Sequence, residues 1–290
     1  MQPLRQKLEN MRTRAGLPWE VIERDYMLSW MLAGIAANAI LKDALAFKGG
    51  TALKKCYFGE YRFSEDLDFT TRQDWPKGDS LEAEIIKVCE TSTEMAQEYS
   101  PLEFTAERYT EKEAHPAAQE AFTVRGRFPW HKQSLAKVMI EITVDEPILR
   151  EPTNLPIIHS YNENIDQEIL TYTLEEIVAE KLRAILQHKI KLEERGWAPS
   201  RARDYYDIWN ILNDFQNRLD VSLVPDLLKE KCKVRDVVFT GKEQFFDGTL
   251  LKYVSSTWEQ WLGSLVSELP PFDAVISDLK LQLNTLFGTD

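Results

Sequence analysis

The stretch FKGGTALKKCYFGEYRFSEDLDF, Phe47–Phe69, places a pair of glycines ahead of acidic residues at alternate positions. Gly49 and Gly50 follow ALAF (44–47), a short apolar run that predicts a buried strand, and Thr51 begins a predicted short helix. A glycine turn between a strand and a helix lets the backbone approach a ligand closely and directs free N–H groups at an anion. The turn therefore predicts phosphate binding by Gly49, Gly50 and Thr51, although such turns are also common without a ligand.

The end of the same stretch predicts a strand with one polar face. In an extended segment Ser64, Asp66 and Asp68 share one side, while Leu67 and Phe69 face the core. Adjacent buried carboxylates are costly unless a cation compensates them, and their oxygens suit Mg²⁺ or the similar Mn²⁺. A pair of such ions supports in-line phosphoryl transfer. Asp66 and Asp68 are therefore candidate metal ligands. A solvated strand face that binds no metal is the alternative for an Asp-x-Asp pattern taken alone.

Composition limits the classes of function that the chain can have. It has 290 residues, 28% charged and 43% hydrophobic, and a net charge of −12, so contact with nucleic acid requires a local basic patch. Cys56, Cys89 and Cys232 show no metal-ligand spacing and no disulfide framework, which predicts a reducing compartment. The polar N-terminus predicts no signal peptide, and the apolar run Met27–Leu41 is too short to cross a bilayer. We therefore expect a cytoplasmic protein without membrane contact.

The order of predicted elements indicates an α+β fold in which a mixed sheet core with helices precedes a mainly helical half. We expect a core domain at 1–165 and a helical domain at 166–290 that completes the active site. Predicted helices cover 19–41, 80–97, 174–189 and 202–212, predicted strands cover 44–47, 66–70, 102–110, 121–130 and 134–145, and a proline-containing acidic connection covers 146–167.

The helix predicted at 174–189 has a lysine within its apolar stripe. Thr173 and Glu176 have the spacing of a capping box at its start. Lys181 lies on the face of Val178 and Ile185. An ammonium in that position needs an anionic partner, or it extends along the edge of the stripe into solvent. Lys181 is thus either a ligand of substrate phosphates or a lysine that reaches water, and the pattern leaves both interpretations open.

Further acids are candidates for catalysis. Ser200 is a predicted N-cap, and Asp204 and Asp207 fall in the first turns of the following helix, where the helix dipole accounts for either acid without a function. Glu141 interrupts an apolar strand, an unusual place for a carboxylate, and is the candidate for a third carboxylate at the metal site; Asp145 is the second choice for that role, and a strand end that faces solvent is the alternative for it.

Lysine and arginine recur along Lys181–Arg203 in an otherwise acidic chain. This segment could hold an RNA backbone or substrate phosphates. A solvated helix and loop of mixed charge is the alternative.

The motif GGTALKK…RFSEDLDF resembles the first motif of the AbiEii/AbiGii-type nucleotidyltransferase toxins, which include the MenT toxins and are similar at their core to DNA polymerase β-like enzymes. The resemblance extends from Gly49 to Asp207. It implies that Lys181 is the lysine of the third motif and that Asp204, rather than Asp207, is the functional aspartate of the last one. It also implies an acidic residue at Glu141, where glutamate is a departure from the family pattern.

The resemblance implies a Mg²⁺-dependent nucleotidyltransferase (EC 2.7.7 type) that moves a nucleoside monophosphate (NMP) from an NTP to a tRNA 3′ end. Such a toxin belongs to a toxin–antitoxin or abortive-infection system, with a cognate antitoxin encoded nearby. Ser64 would bind the triphosphate and be modified when the antitoxin silences the toxin. The alternatives are transfer to a protein or small-molecule hydroxyl, and a catalytically inactive nucleotide-binding module that acts through a partner.

Overall fold

The computed structural model describes residues 3–72, 74–110, 119–133 and 136–288. The chain divides into two compact units, Met1–Tyr172 and Thr173–Asp290. Strands and helices mix in the first unit and helices make up the second, so the predicted α+β class is confirmed.

The first unit contains a mixed sheet with helices before and between its strands. Its helices are α1 Leu4–Ala15, α2 Trp19–Ala37, α3 Leu41–Ala44, α4 Gly49–Ala52, which continues into a π-helical turn at Leu53–Phe58, and α5 Asp79–Gln97. Its strands are β1 Leu45–Lys48, β2 Asp66–Thr71, β3 Glu103–Arg108, β4 Gln119–Arg127, β5 Ala136–Thr143, β6 Thr153–Pro156 and β7 Glu168–Thr171.

Within the described residues, these strands form one sheet of seven in the order β3-β4-β5-β2-β1-β7-β6. Strand β2 lies at its centre, parallel to β5 and antiparallel to β1. Leu67 and Phe69 on β2 are fully buried, whereas Asp66 and Asp68, which alternate with them, are half-buried. The predicted alternation of β2 is confirmed, and the sheet places its acids at the middle of the unit.

Two strands were not predicted. β6 lies within the stretch 146–167, where the expectation of a connection without strands was wrong, and β7 lies between that stretch and the helix predicted from residue 174. β6 is an exposed edge strand that ends in Pro156, and β7 pairs with it and with β1. Both span four residues, which is too short to show period-2 alternation, and proline is acceptable only at a sheet edge. The strand expected from 134 begins at Ala136, and Ser134 and Leu135 lie outside the described residues.

Helix α2 is the buried helix expected from the apolar run, but it ends at Ala37 rather than at residue 41. The side chain of Asn38 accepts hydrogen bonds from the backbone N–H groups of Ile40 and Leu41, both at 2.9 Å, and so starts a new turn. Asparagine competes with helical hydrogen bonds in this way.

The second unit is helical. Its helices are α6 Leu174–Arg195, α7 Ala202–Asp214, α8 Val224–Val234, α9 Gly248–Leu262 and α10 Phe272–Phe287, with 3₁₀ turns at Gln216–Arg218, Val221–Leu223 and Lys242–Phe246. The hydroxyl of Thr173 accepts the N–H of Glu176, as its capping position predicts. Lys231 of α8 pairs with Glu176 and Glu180 of α6 at 2.7 and 2.9 Å and joins the two helices.

Helix α6 continues past the predicted 189 and ends at Arg195, and its C-cap Gly196 has a left-handed φ of 73°. Ser200 is not the N-cap of α7, because Arg201 occupies that position, but its hydroxyl still accepts the N–H of Ala202 at 3.2 Å. In the part of the chain that the structure describes, no helix combines the length and apolarity needed to cross a membrane.

Candidate active site

A row of charged side chains crosses the centre of the sheet in the first unit. Asp68 of β2 is in register with Lys48 of β1 on one side and with Glu141 of β5 on the other. Residues in register project from the same face of a sheet. Glu141 therefore shares a face with Asp68, whereas Asp145 lies past the end of β5 and is exposed.

Asp66 lies one pleat from Asp68 on the same face of β2. Ser64 precedes the strand, which starts at Asp66, and its side chain is buried. The loop that leads to it is held by Lys54, whose ammonium donates to the carbonyls of Gly59 and Tyr61 at 3.1 and 3.2 Å. The expected polar strand face therefore includes Asp66 and Asp68 but not Ser64, which lies in the loop before β2.

Gly49 lies directly against the carboxylate of Asp68. A Cβ at position 49 would come within 2.3 Å of Asp68 Oδ2, and Gly49 has a left-handed φ of 78°. Glycine is required here for both the close approach and the backbone conformation. The glycine turn and the acidic strand, predicted separately from the sequence, therefore meet.

Gly49→Ala tests this contact. An L-residue in the left-handed region costs about 1–2 kcal/mol, and the new methyl group displaces the Asp68 carboxylate. We expect a comparable fall in the free energy of unfolding, measured by urea denaturation, and a fall in nucleotide transfer of at least about tenfold. Gly16→Ala is the matched control, because Gly16 has a φ of 67° and open space around it. Equal activity of the two variants would contradict the assignment.

The other residues of the turn are also fixed. Thr51 is fully buried, and its hydroxyl donates to the carbonyl of Asp66, which ties the turn to β2. A Cβ at Gly50 would come within 2.5 Å of Arg62 Nη2. Arg62 is 5% exposed and donates from Nη1 to the carbonyl of Phe63 at 3.0 Å. A buried guanidinium therefore lies beside the glycine pair.

A buried ion pair links α2 to the π-helical turn that follows the glycine turn. Lys55 in the π-helical turn lies 2.8 Å from Asp25 of α2 and donates to Ser29 at 2.9 Å, while Tyr161 donates to the other oxygen of Asp25 at 2.9 Å. Burial lowers the pKa of Lys55 to about 8, although the Asp25 charge opposes that shift. This arrangement connects the turn to the most buried helix of the unit.

The carboxylates of β2 fit a hard divalent cation through their donor chemistry. Mg²⁺ is commonly held by one or two carboxylates together with water and substrate phosphates. Among the described residues no group of three or more His, Cys, Asp or Glu side chains is gathered closely enough to hold a metal ion. Asp66 and Asp68 thus fit a site of that two-carboxylate kind, and a role for Glu141 as a further ligand stays a prediction.

In the second unit, Lys181 of α6 meets both candidate aspartates of α7. Its Nζ lies 2.7 Å from Asp207 Oδ2 and 3.0 Å from Asp204 Oδ1. Asp207 is fully buried, whereas Asp204 is slightly exposed and also faces Arg201 at 3.5 Å. The anion that the ammonium of Lys181 needs within the apolar stripe is therefore provided by two carboxylates of the protein, which hold the ammonium in place.

His188 of α6 is buried, and its lowered pKa predicts that the folded protein loses stability in acid. Burial first, and then the charge of Arg201, lowers its pKa from 6.5 to about 4. The unfolded chain binds the proton first as pH falls, so His188 costs about 2 kcal/mol of stability at pH 5 relative to pH 8. Urea denaturation of the parent and of His188→Phe, which keeps the ring contact with Tyr253, should show a smaller acid loss in the variant. Equal losses in both proteins would contradict the assignment.

Lys48 and Arg62 are candidate functional residues that the sequence did not reveal. Lys48 is in register with Asp68, and its Nζ lies 5.6 Å from the ring of Tyr172. Its position directly before Gly49 was the only available signal. Arg62 lies within the quoted motif, but only the fold brings it to Gly50.

Comparison with known proteins identifies a family and a similar fold. The family model described as "Nucleotidyl transferase AbiEii toxin, Type IV TA system" matches residues 30–278. Among solved structures, the chain is similar to MenT4, the nucleotidyltransferase toxin Rv2826c from Mycobacterium tuberculosis H37Rv, with a TM-score of 0.63 and 17% identity, covering 94% of this chain and 85% of that one. At this identity the likeness shows the fold. No curated protein matches the sequence.

Proposed function

This chain belongs to the AbiEii family of nucleotidyltransferase toxins of type IV toxin–antitoxin systems, and we propose that it transfers the NMP of an NTP to the 3′ end of a tRNA. The observation that supports transfer is the contact between Gly49 and Asp68, which joins the turn predicted to bind phosphate to a candidate metal ligand. Transfer to RNA is inferred from the resemblance to the toxin family. Because tRNA is a cytoplasmic molecule, we propose that the protein acts in the cytoplasm.

The proposed reaction is an in-line displacement at the α-phosphorus. The acceptor hydroxyl oxygen forms a bond to that phosphorus, while the bond to the α–β bridging oxygen breaks and pyrophosphate leaves with the electron pair. The hydroxyl proton passes to solvent. Divalent ions, when bound, neutralise charge on the phosphates and make the hydroxyl more acidic.

We assign each residue a role in this reaction. Asp66 and Asp68 hold the divalent ions, with Glu141 as a proposed third ligand. The N–H groups of the glycine turn and the hydroxyl of Ser64 bind the triphosphate. Thr51 contributes its backbone N–H, because its hydroxyl is bonded to β2. Arg62 and Lys48 add positive charge beside the acids.

Lys181 is proposed to bind phosphates, and Asp204 to orient its ammonium. Of its two partners, Asp204 is the more exposed, which suits a residue beside substrate, while Asp207 is fully buried beneath it. The cognate antitoxin, encoded nearby, is proposed to act on Ser64 and so block the triphosphate site.

The test is incubation with each α-labelled NTP, Mg²⁺ and tRNA, followed by a gel. We expect label in tRNA with the preferred NTP, and no label when the same NTP carries it on the γ-phosphate. Asp68→Asn is the matched control.

Other outcomes distinguish the alternatives. Label in a protein band or a small molecule would identify another acceptor. Absence of label everywhere, with NTP binding retained in calorimetry, would indicate an inactive nucleotide-binding module.

A further inference from the structure

An exposed tryptophan lies on the loop between α6 and α7, which we call the α6–α7 loop and define as residues 196–201. Trp197 is 65% exposed. Single exposed apolar residues are ordinary, but indole is large and its burial is strongly favoured, so its surroundings decide whether it has a use.

Hydrogen bonds fix the backbone on either side of this tryptophan. Tyr253 of α9 donates to the carbonyl of Ala198 at 2.7 Å, and Thr257 of α9 donates to the hydroxyl of Ser200 at the same distance. Gly196 closes α6 by donating to Leu192 at 3.0 Å. The loop therefore presents Trp197 from an ordered backbone, which lowers the entropic cost of binding to its ring.

Cations surround the loop. Lys191 and Arg195 lie on the last turns of α6, and Arg201 lies at the start of α7. The pKa of Lys191 is lowered by burial and then by repulsion from Arg201 and Arg195. Nε of Arg201 is buried and has no hydrogen-bond partner among the described residues.

Acidic side chains compensate this charge only in part. Glu193 faces Lys189 at 3.8 Å, Asp204 is shared between Lys181 and Arg201, and Glu194 is exposed. The chain as a whole has a net charge of −12, so the positive charge beside the exposed indole of Trp197 is a local feature. It favours an anionic partner that also has flat apolar groups. Single-stranded nucleic acid has both features, because its phosphates bind cations and its bases stack on aromatic rings.

We propose that the α6–α7 loop binds a single-stranded segment of RNA, with a base stacked on Trp197 and phosphates bound by Lys191, Arg195 and Arg201. This inference deepens the proposed function by assigning residues to acceptor recognition. RNA binding by the loop does not depend on the proposed transfer reaction; only the description of the bound RNA as the acceptor rests on it.

The experiment measures binding without transfer. The full chain carrying Asp68→Asn is titrated into a fluorescently labelled single-stranded RNA of twelve nucleotides without NTP, and anisotropy gives Kd at several salt concentrations. Trp197→Ala should weaken binding by about tenfold. Trp197→Phe keeps an aromatic face and should retain most of the affinity. Leu281→Ala removes an apolar side chain that is 69% exposed elsewhere in this unit, and should leave Kd unchanged.

The salt dependence tests the role of the cations. Lys191→Gln with Arg195→Gln should lower the slope of log K against log salt by about 0.7 for each phosphate that the protein no longer neutralises. Unchanged affinity in Trp197→Ala, or an unchanged slope in the double variant, would overturn the proposal. If Trp197→Ala instead stops binding a polyglutamate peptide and still binds RNA normally, the occupant is an acidic protein and the proposal is also overturned.

The two proposals fail separately. Absence of nucleotide transfer with weakened RNA binding in Trp197→Ala would reject the enzyme and keep the RNA surface. Normal RNA binding in Trp197→Ala, with transfer to tRNA intact in the parent protein, would reject the surface and keep the enzyme.

Discussion

Asp68→Asn should reduce nucleotide transfer by about a thousandfold or more while the protein stays folded. Stabilisation of the reacting phosphate by a metal ion is worth several kcal/mol, and each 1.4 kcal/mol corresponds to a factor of ten in rate. The amide keeps the shape of the side chain beside Gly49 but removes its charge. Asp66→Asn should have a similar effect, and expression of either variant should no longer arrest growth in cells sensitive to the parent protein.

The matched control is Glu65→Gln. Glu65 lies between Ser64 and Asp66 in the same segment, but its carboxylate is part-exposed and paired with Arg24. Neutralising an ion pair of this kind costs little, about 1 kcal/mol or less. We therefore expect normal transfer from this variant. Loss of activity in Glu65→Gln as severe as in Asp68→Asn would indicate damage to the loop rather than removal of a metal ligand.

Thermal unfolding separates metal binding from a structural role for these acids. If Asp68 binds Mg²⁺, then Mg²⁺ with NTP raises the Tm of the parent protein and not that of Asp68→Asn, because ligands stabilise only the state that binds them. If Asp68 instead serves mainly as a partner of Lys48 or Arg62, the variant loses stability without any metal. A variant less stable in metal-free buffer and still active would overturn the proposed role.

Local patterns in the sequence predicted the elements that present the site. Alternation identified β2, and the apolar stripe identified α6, which begins at the predicted Leu174. The motif from Gly49 to Asp68 identified the family, and the family match confirms it. These signals are local because a strand face and a helix face each repeat within a few residues.

What the sequence could not predict depends on pairing between distant segments. The register of β2 with β1 and β5 places Lys48 and Glu141 on either side of Asp68. The approach of Arg62 to the glycine pair requires the loop before β2 to fold back. No local pattern encodes either arrangement, so Lys48 and Arg62 were missed. Glu141 was chosen as an acid in an apolar strand where the resemblance implies one, and not from its register with Asp68.

Lys181 shows the same limit. Its place in an apolar stripe predicted that the ammonium needs an anion, but helical spacing could not say whether the anion is a substrate or a side chain. Asp204 and Asp207 are 23 and 26 residues away in the chain, and the packing of α7 on α6 brings both to the ammonium. Helix-dipole stabilisation, the simpler explanation for either acid, does not account for this convergence.

Lys181→Met should lower the free energy of unfolding by about 3–5 kcal/mol, because it leaves the Asp207 carboxylate buried without the ammonium. Urea denaturation measures this loss. Lys231→Met would be a poor control, since Lys231 is itself fully buried between two glutamates. Lys229→Met is the matched control: its ammonium pairs with Asp226 on the surface, and the change should cost less than about 1 kcal/mol.

The double variant Lys181→Met with Asp207→Asn decides what Lys181 does beyond holding the helices together. Removing both charges avoids the uncompensated carboxylate, so a large part of the stability should return, and a double-mutant cycle measures the coupling. If Lys181 also binds phosphates, the stabilised double variant still transfers nucleotide at least about a hundredfold more slowly than the parent protein, because it has no ammonium to donate charge-assisted hydrogen bonds to phosphate. If transfer returns together with stability, Lys181 is a structural residue, and its assignment to the triphosphate is wrong.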